Sequence, residues 1–396
     1  MGLRWKFSHQ RLAEEPHPLM PSSLIHRAND TRDCDADGLL GALRTVTDPR
    51  KARGRRYPLP GVLAAALSAV LAGARSFTAI GEWVGTLGAD RLVRFGLSRP
   101  PTESMIRKLF ARLDAAAVDA AMSRFWWTRC HTGDDQRRVI AIDGKTLRGA
   151  RTSQQFAPHL IAAHEHDAGI VLGQLAVAAK SNEIPAVPEL LATFDPDDLT
   201  GTVITADALH TQTDTAIAIL AAGADYLFTV KANQPTLLAQ LKALPWRDVP
   251  VHRAITKGRG RRVTRTIKVL QAPEQVTFPG AAQVAQVRRT VTVRGKKTVE
   301  VVYLITSAGY QQAQPATLAG WIQGHWGIEI RLRWVRDVTF DEDRSQIRTG
   351  AAPQIMASLR NTAINILRLA KWDNIAAGLR HHARNPDQAI KHILTS

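Results

Sequence analysis

The chain has 396 residues, of which 45% are apolar, and 52 Lys and Arg against 35 Asp and Glu give a net charge of +17. This composition excludes a wholly disordered chain, and the length predicts two or three domains. The two cysteines, Cys34 and Cys130, are far apart, which excludes a disulfide framework and a cysteine-based zinc finger and favours a reducing cytoplasm. Residues 1–27 lack the apolar segment of a signal peptide, and the longest apolar run is too short for a membrane span, so we expect no membrane partner.

The charge is unevenly distributed along the chain. Residues 1–130 carry a net +8, residues 131–240 a net −6 and residues 241–396 a net +15. An acidic middle between two basic flanks favours carboxylate chemistry inside a frame that binds a polyanion such as nucleic acid. A basic surface that serves only to keep the protein soluble would give the same distribution of net charge.

The first two segments of the chain differ in the pattern of their apolar residues. Residues 1–36 are polar without a sustained period, and we predict a loose N-terminal extension there. Residues 37–133 show helical periodicity and are predicted to form a helical DNA-binding or associated domain. Within it, the alanine-rich run Leu59 to Ala74 favours a buried helix, and the basic loop Arg50 to Arg56 is a candidate for phosphate contacts.

Residues 134–245 have the pattern of an α/β domain. Three β-branched runs are followed by a helix, a strand, a helix and a strand, which predicts the first part of an RNase-H-like catalytic core. Asp143 ends the first strand and Asp207 ends the fourth, and side chains at strand ends reach solvent beside the core. The predicted strands span residues 138–143, 159–163, 170–178, 201–207 and 225–230, and the helices span 188–194, 213–222 and 235–244.

From residue 246 the pattern returns to strands. Residues 246–306 carry 13 Lys and Arg against 3 Asp and Glu, and strands are expected at 263–270, 285–293 and 299–306. We predict that this basic β-rich insert interrupts the catalytic core. Residues 307–396 are predicted to supply the last core helices, at 318–335 and 353–369, and a basic C-terminal tail.

Several segments stand out for their residue content rather than their period. They are Asp48 to Lys51, Ile142 to Gly149, Thr205 to Gln212, Val230 to Pro235, His325 to Glu329 and Trp334 to Ser345. With these segments, the sequence from about Leu39 to its end resembles the bacterial insertion-sequence transposases of the ISAs-one type. These transposases are a branch of the DDE transposases related to the IS-four superfamily.

The resemblance implies a catalytic triad of acids, with Asp143 first, Asp207 second and Glu329 third. These three carboxylates would hold Mg²⁺, for which Mn²⁺ would substitute, because Mg²⁺ takes hard oxygen ligands. Two such ions can activate the attacking oxygen and stabilise the leaving oxygen of an in-line displacement at phosphorus. The implied activity is cleavage of double-stranded DNA at the inverted ends of an insertion sequence and strand transfer into target DNA, without a covalent protein–DNA intermediate.

Cations near these acids are candidate DNA contacts. On the predicted helix, His325, Glu329, Arg333 and Arg336 recur at helical spacing and are expected to share one face. Phosphate contacts of this kind supply affinity rather than sequence choice. The candidate DNA-binding residues are Lys145, Arg148, Lys231, Arg259, Arg261, His325, Arg333 and Arg336.

The sequence also departs from the family pattern. Ile330 and Arg333 stand where the family usually has Asn and His, and Val263 stands where an acid is expected. These departures leave open an alternative: a catalytically impaired, transposon-derived DNA-binding protein. An RNase-H-like nuclease acting on RNA is a further alternative, which the basic insert disfavours. Because two element ends must meet, the resemblance implies a homodimer on DNA, in the bacterial cytoplasm at the nucleoid.

Overall fold

The computed structural model describes residues 38–129, 137–153, 156–177, 183–258 and 260–395. The predicted extension at 1–36, both cysteines and Arg259 lie outside these residues. No helix in the described ranges combines the length and apolarity that a bilayer crossing requires. The helices are α1 (Leu39–Arg44), α2 (Leu59–Leu71), α3 (Phe77–Gly85), α4 (Ala89–Arg94), α5 (Glu103–Phe110), α6 (Ala115–Trp127), α7 (Glu183–Leu191), α8 (Pro196–Leu199), α9 (Thr213–Ala221), α10 (Pro235–Ala243), α11 (Pro315–Ile328), α12 (Ala352–Leu369), α13 (Ile375–Arg384) and α14 (Pro386–Leu394).

The N-terminal helices surround α2, as its composition predicts. Nearly every residue of α2 is buried, and its one polar side chain, Ser68, bonds back to the carbonyl of Ala64 at 2.9 Å. A helix that is apolar on all sides is stable only inside a core. Side-chain caps at Ser76, Thr102 and Asp114 satisfy backbone N–H groups at the starts of α3, α5 and α6. The helical N-terminal region predicted from the sequence is therefore confirmed.

One nine-stranded mixed sheet forms the rest of the framework, in the order β3-β2-β1-β4-β5-β9-β8-β7-β6. The pairs β1–β2 and β2–β3 are antiparallel, whereas β4 runs parallel to both β1 and β5. This is the strand succession predicted for an RNase-H-like domain. The strands are β1 (Val139–Thr146), β2 (His159–Glu165), β3 (Val171–Val177), β4 (Val203–Ala206), β5 (Asp225–Val230), β6 (His252–Gly258), β7 (Arg261–Gln271), β8 (Gln283–Val293) and β9 (Lys296–Thr306).

The strands predicted as a basic insert extend this same sheet. Strand β9 returns to pair antiparallel with β5, from Leu227 opposite Thr306 to Val230 opposite Tyr303. Strands β8, β7 and β6 then continue outward by antiparallel pairing. The sequence pattern missed β6, because every side chain of that edge strand is exposed and no alternation marks it.

The C-terminal helices complete the core of the N-terminal region. Helix α12 packs on α2, α6 and β3, and α14 packs on α1 and α2. A single apolar cluster consequently runs from Leu39 to Ile393. Burial of apolar area on this scale is the main stabilising contribution to the fold.

Candidate active site

The first two predicted acids lie at the same level of neighbouring strands. Ile142 of β1 is the register partner of Ala206 of β4, and Asp143 and Asp207 follow these two residues. Neighbouring strands are about 4.8 Å apart, so the two carboxylates emerge side by side at one edge of the sheet. The Asp207 side chain accepts a hydrogen bond from the backbone N–H of Leu209 at 2.9 Å, which fixes the turn that follows β4.

The third acid, Glu329, stands where a regular helix stops. The sequence predicts one helix over 318–335, but α11 ends at Ile328, and the π-helical segments Glu329–Arg333 and Val335–Thr339 follow. The wider turn shifts the angular position of each later residue, so the expected common face does not form. Glu329 is 59% exposed, whereas His325 and Arg336 are buried. Single π turns occur frequently at functional sites.

The guanidinium of Arg333 joins these acids. Its Nε and Nη2 donate to the two carboxylate oxygens of Asp143, and Nη2 also donates to the carbonyl of Gly144 at 2.7 Å. Its Nη1 donates to Glu329 at 3.0 Å. Burial lowers the pKa of Arg333, but the charges of Asp143, Glu329 and Asp207 outweigh burial and raise it. Two of the three predicted acids, Asp143 and Glu329, therefore share one guanidinium, and Asp207 acts on it only through its charge.

Asp143 is the most enclosed of the three acids, with 16% of its side chain exposed. Burial raises its pKa to about 6, against the opposing influence of Arg333, and the neighbouring charges of Glu329 and Asp207 raise it further. Mutual repulsion among carboxylates is the expected cost of gathering them at one point. Such a cluster is stable only with a cation beside it, and Arg333 is that cation in this conformation.

Among the described residues, no group of three or more His, Cys, Asp or Glu side chains is arranged to hold a metal ion. The donor chemistry of Asp143, Asp207 and Glu329 nevertheless suits Mg²⁺, because these three acids offer only hard oxygens. Arg333 bonds Asp143 and Glu329 in this conformation, so a divalent ion between those two carboxylates would have to displace the guanidinium.

A buried hydroxyl links the helix that carries Glu329 to the strand that carries Asp207. Thr205 Oγ1 lies 3.0 Å from Nδ1 of His325 and 3.2 Å from Nε2 of His166. All three side chains are buried. Burial lowers the pKa of His325 to about 4 and that of His166 to about 3, so both rings are neutral at pH 7. One ring then donates to the hydroxyl and the other accepts from it, which fixes α11 against β4.

A second polar cluster braces the turn after Asp207. Glu183, at the start of α7, lies 2.6 Å from Nε2 of His159 and 3.7 Å from Nε2 of His210. Hydrogen bonding to His159 lowers the pKa of Glu183, which favours the carboxylate. A Cβ atom at Gly144 would lie within 3 Å of the side-chain ends of both Glu183 and His159, so a larger residue next to Asp143 would push this pair aside. This cluster ties the ends of β1 and β4 together.

Two of the predicted DNA contacts, Arg336 and His325, have buried side chains that are paired within the protein. Arg336 is 1% exposed and bonds Glu342 at 2.9 and 3.0 Å, while Arg360 bonds the same carboxylate at 2.9 Å. His325 is enclosed by its bond to Thr205. Lys145 is also turned inward, to Asp337.

The remaining candidates lie on the surface. Arg148 is 74% exposed and pairs with Asp343, and Lys231 and Arg261 are exposed. The loop after Lys231 supports the acid turn, because Asn233 donates to the carbonyl of Ala208 at 2.5 Å. Whether these side chains contact DNA remains a prediction.

Sequence reasoning missed most of the supporting residues. Glu183 lies in none of the motif segments, and Thr205, although it opens the segment that contains Asp207, gives no sign of its partner His325, 120 residues away in the chain. In the structure the ring of His325 approaches His166 from α11 through the shared hydroxyl of Thr205.

The comparisons with known proteins agree with this architecture. Residues 134–366 match the family described as Transposase DDE domain, and residues 40–126 match the family described as DDE_Tnp_1-associated. The first match covers more than half of the chain and contains all three predicted acids. The chain belongs to the DDE transposase family.

Curated relatives span nearly its whole length. It is 33% identical to "Putative protein YbfL" of Escherichia coli (strain K12) over 87% of this chain and 94% of that protein. It is 32% identical to "H repeat-associated putative transposase YhhI" of the same strain, with the same coverage. The cryo-EM structure of a piggyBac transposase synaptic complex with hairpin DNA aligns over 89% of this chain and 78% of that one, at 12% identity. Its TM-score of 0.40 is too low to carry an argument.

Proposed function

We propose that the protein is a metal-dependent DNA transposase that cuts double-stranded DNA at the inverted ends of its own insertion sequence and joins the freed 3′ ends to target DNA. Within the family we place it with the ISAs-one type. The observation that carries the proposal is the placement of Asp143 and Asp207 after register partners on β1 and β4, with Arg333 bonding both Asp143 and Glu329.

The three carboxylates would hold Mg²⁺, or Mn²⁺ in its place. When bound, the metal would activate the attacking oxygen and stabilise the leaving oxygen at phosphorus. Asp143 and Asp207 supply ligands from rigid strand ends, and Glu329 supplies one from the π turn. Arg333, released from Asp143, would be positioned to pair with a DNA phosphate, since a guanidinium forms bidentate bonds with phosphate as it does with carboxylate.

The basic strands β6 to β9 would guide DNA toward this edge. Their exposed cations include Arg261, Lys296 and Lys297, and contacts of this kind act through the phosphate backbone without reading sequence. Cutting both ends in one event requires two active sites, so we propose a homodimer on DNA. Its place of action would be the cytoplasm, at the nucleoid.

The test uses the purified full chain and a DNA fragment that carries the borders of its own gene. Strand breaks are mapped at nucleotide resolution in Mg²⁺ and in Mn²⁺, with Asp143→Asn as the inactive variant and Asp337→Asn as a matched control. Breaks at the element borders that vanish only with Asp143→Asn support the proposal. Border binding without breaks would overturn it in favour of a DNA-binding protein without nuclease activity.

A further inference from the structure

A cleft in the helical N-terminal region has the chemistry of an anion site. Its volume is about 340 Å³, and it lies between residues 49–50 and helix α5. Three of the side chains that line it are cationic: Arg50, Lys108 and Arg112. None of the described residues that line it is acidic. Ligand pockets commonly begin at about 300 Å³, so the cleft is large enough for a phosphate group and its neighbours.

Arg50 is held rigidly with one nitrogen unused. Its Nε and Nη2 donate to Asp48, at 2.9 and 2.7 Å, and Nη2 also donates to the carbonyl of Tyr57 at 2.6 Å. The side chain is only 10% exposed, and its Nη1 has no hydrogen-bond partner among the described residues. A buried donor without an acceptor costs roughly 1–3 kcal/mol, which an incoming acceptor would recover.

The two other cations extend the site beyond Arg50. Lys108 lies on α5 and Arg112 in the turn that follows this helix, and both side chains line the cleft. Arg112 also donates to the carbonyl of Pro49 at 3.2 Å, which fixes it at the mouth of the cleft. Since Asp48 neutralises one charge of the set, a net charge of about +2 remains for a ligand.

We propose that this cleft, the Arg50 cleft, binds a phosphate group of the DNA backbone. The proposal rests on the proposed function only in naming DNA as the source of the phosphate. A polymeric ligand is favoured because the exposed loop that continues from the cleft carries further cations, among them Arg53 and Arg56. Binding of this kind adds affinity without sequence choice and keeps DNA on the N-terminal helices.

The test compares two double variants that remove the same charge from the same region. Lys108→Gln/Arg112→Gln empties the mouth of the cleft, and the control Arg107→Gln/Arg124→Gln removes two arginines that do not line it. Binding of the full chain to a 30-base-pair duplex of arbitrary sequence is followed by fluorescence anisotropy across a salt series. The cleft variant is expected to weaken binding about tenfold at 0.1 M salt and to reduce the salt slope by about 1 to 2. The control is expected to change affinity less than twofold.

Arg50→Lys keeps the positive charge beside Asp48 but removes Nη1 together with the Nε and Nη2 bonds to Asp48 and the carbonyl of Tyr57. Its expected effect is a several-fold weaker complex, measured at a temperature at which the melting curve shows the variant fully folded. Equal losses in both double variants, or no loss in either, would overturn the proposal. A separate arm titrates inorganic phosphate at constant ionic strength: phosphate binding that the cleft variant abolishes, with duplex affinity intact, would assign the cleft to free phosphate and overturn the DNA assignment. The anisotropy measurement needs no strand breaks, so its result is independent of the result of the cleavage test.

Discussion

Arg333 bonds both carboxylate oxygens of Asp143, and the two residues are 190 positions apart in the chain. The same guanidinium reaches Glu329 at 3.0 Å. A single side chain thus offsets part of the negative charge of the site, which reduces the repulsion between Asp143 and Glu329. The carboxylates of Asp143 and Glu329 stay close together, and a divalent cation must compete with the guanidinium of Arg333 for them.

Replacing Arg333 by Gln should strengthen binding of a divalent cation. The substitution removes the competitor from Asp143 and Glu329, so we expect the affinity for Mn²⁺ to rise on the order of tenfold, equivalent to about 1.4 kcal/mol. Mn²⁺ titration followed by electron paramagnetic resonance measures this without DNA. Arg148→Gln, which removes an exposed arginine from the same region, should leave the affinity unchanged. Equal or weaker Mn²⁺ binding by Arg333→Gln would show that the arginine is not a competitor.

Replacing Thr205 by Val should loosen α11 from β4. The rings of His166 and His325 lose their shared hydroxyl while remaining buried, and an unpaired buried polar group costs roughly 1–3 kcal/mol. The matched control is Thr215→Val, because Thr215 is equally buried and its hydroxyl has no hydrogen-bond partner among the described residues. Urea unfolding should show a lower free energy of unfolding for Thr205→Val and an unchanged one for Thr215→Val. Identical midpoints would contradict the role assigned to Thr205.

Replacing Glu342 by Gln should destabilise the protein strongly. Its carboxylate is shared by two buried arginines, Arg336 and Arg360, and removal leaves both charges uncompensated. Loss of one partner of a buried ion pair costs about 3–5 kcal/mol. The neighbouring variant Asp343→Asn touches a more exposed acid and should cost less than about 1 kcal/mol. Comparable unfolding free energies for the two variants would refute this ranking.

The same carboxylate should make stability fall in acid. Burial raises the pKa of Glu342, but Arg336 and Arg360 outweigh burial and lower it to about 2. The unfolded chain, with an ordinary value near 4.5, takes up its proton first, so the contribution is complete above about pH 5 and is lost as pH falls toward 2. Urea unfolding at pH 6, 5, 4 and 3 should show the difference between the native chain and Glu342→Gln shrinking with acidity. Parallel curves would exclude Glu342 as the source.

The sequence predicted those parts of the site that depend on local pattern. Short apolar strands that end in Asp143 and Asp207 are visible as β-branched runs, and the register of β1 on β4 then places the acids together. The environment of Glu329 was not predictable in the same way, because a regular 3.6-residue period gives no sign of a π turn. Arg336 illustrates the remaining difficulty: its burial depends on Arg360, from another helix, sharing the carboxylate of Glu342.

For the fold as well, the elements with a local sequence pattern were predictable. The apolar composition of α2 predicts that this helix is buried, and the alternation of apolar and polar residues predicts the basic strands. The return of β9 to β5 pairs Phe228 with Ile305, 77 positions later, and no local pattern encodes that pairing. The sequence therefore predicted the strands of the insert but not their place in the same sheet.

The packing of α12 and α14 on α2 has a consequence for how the protein is made. A ribosome releases α2 hundreds of residues before α12 and α14, which pack on it. The apolar surface of α2 is therefore uncovered in the growing chain until synthesis is almost complete. A stop codon anywhere before residue 352 would leave that surface uncovered and the product prone to aggregate or to be degraded. Truncated copies of the gene should thus yield no stable N-terminal fragment to compete with the full-length protein for DNA.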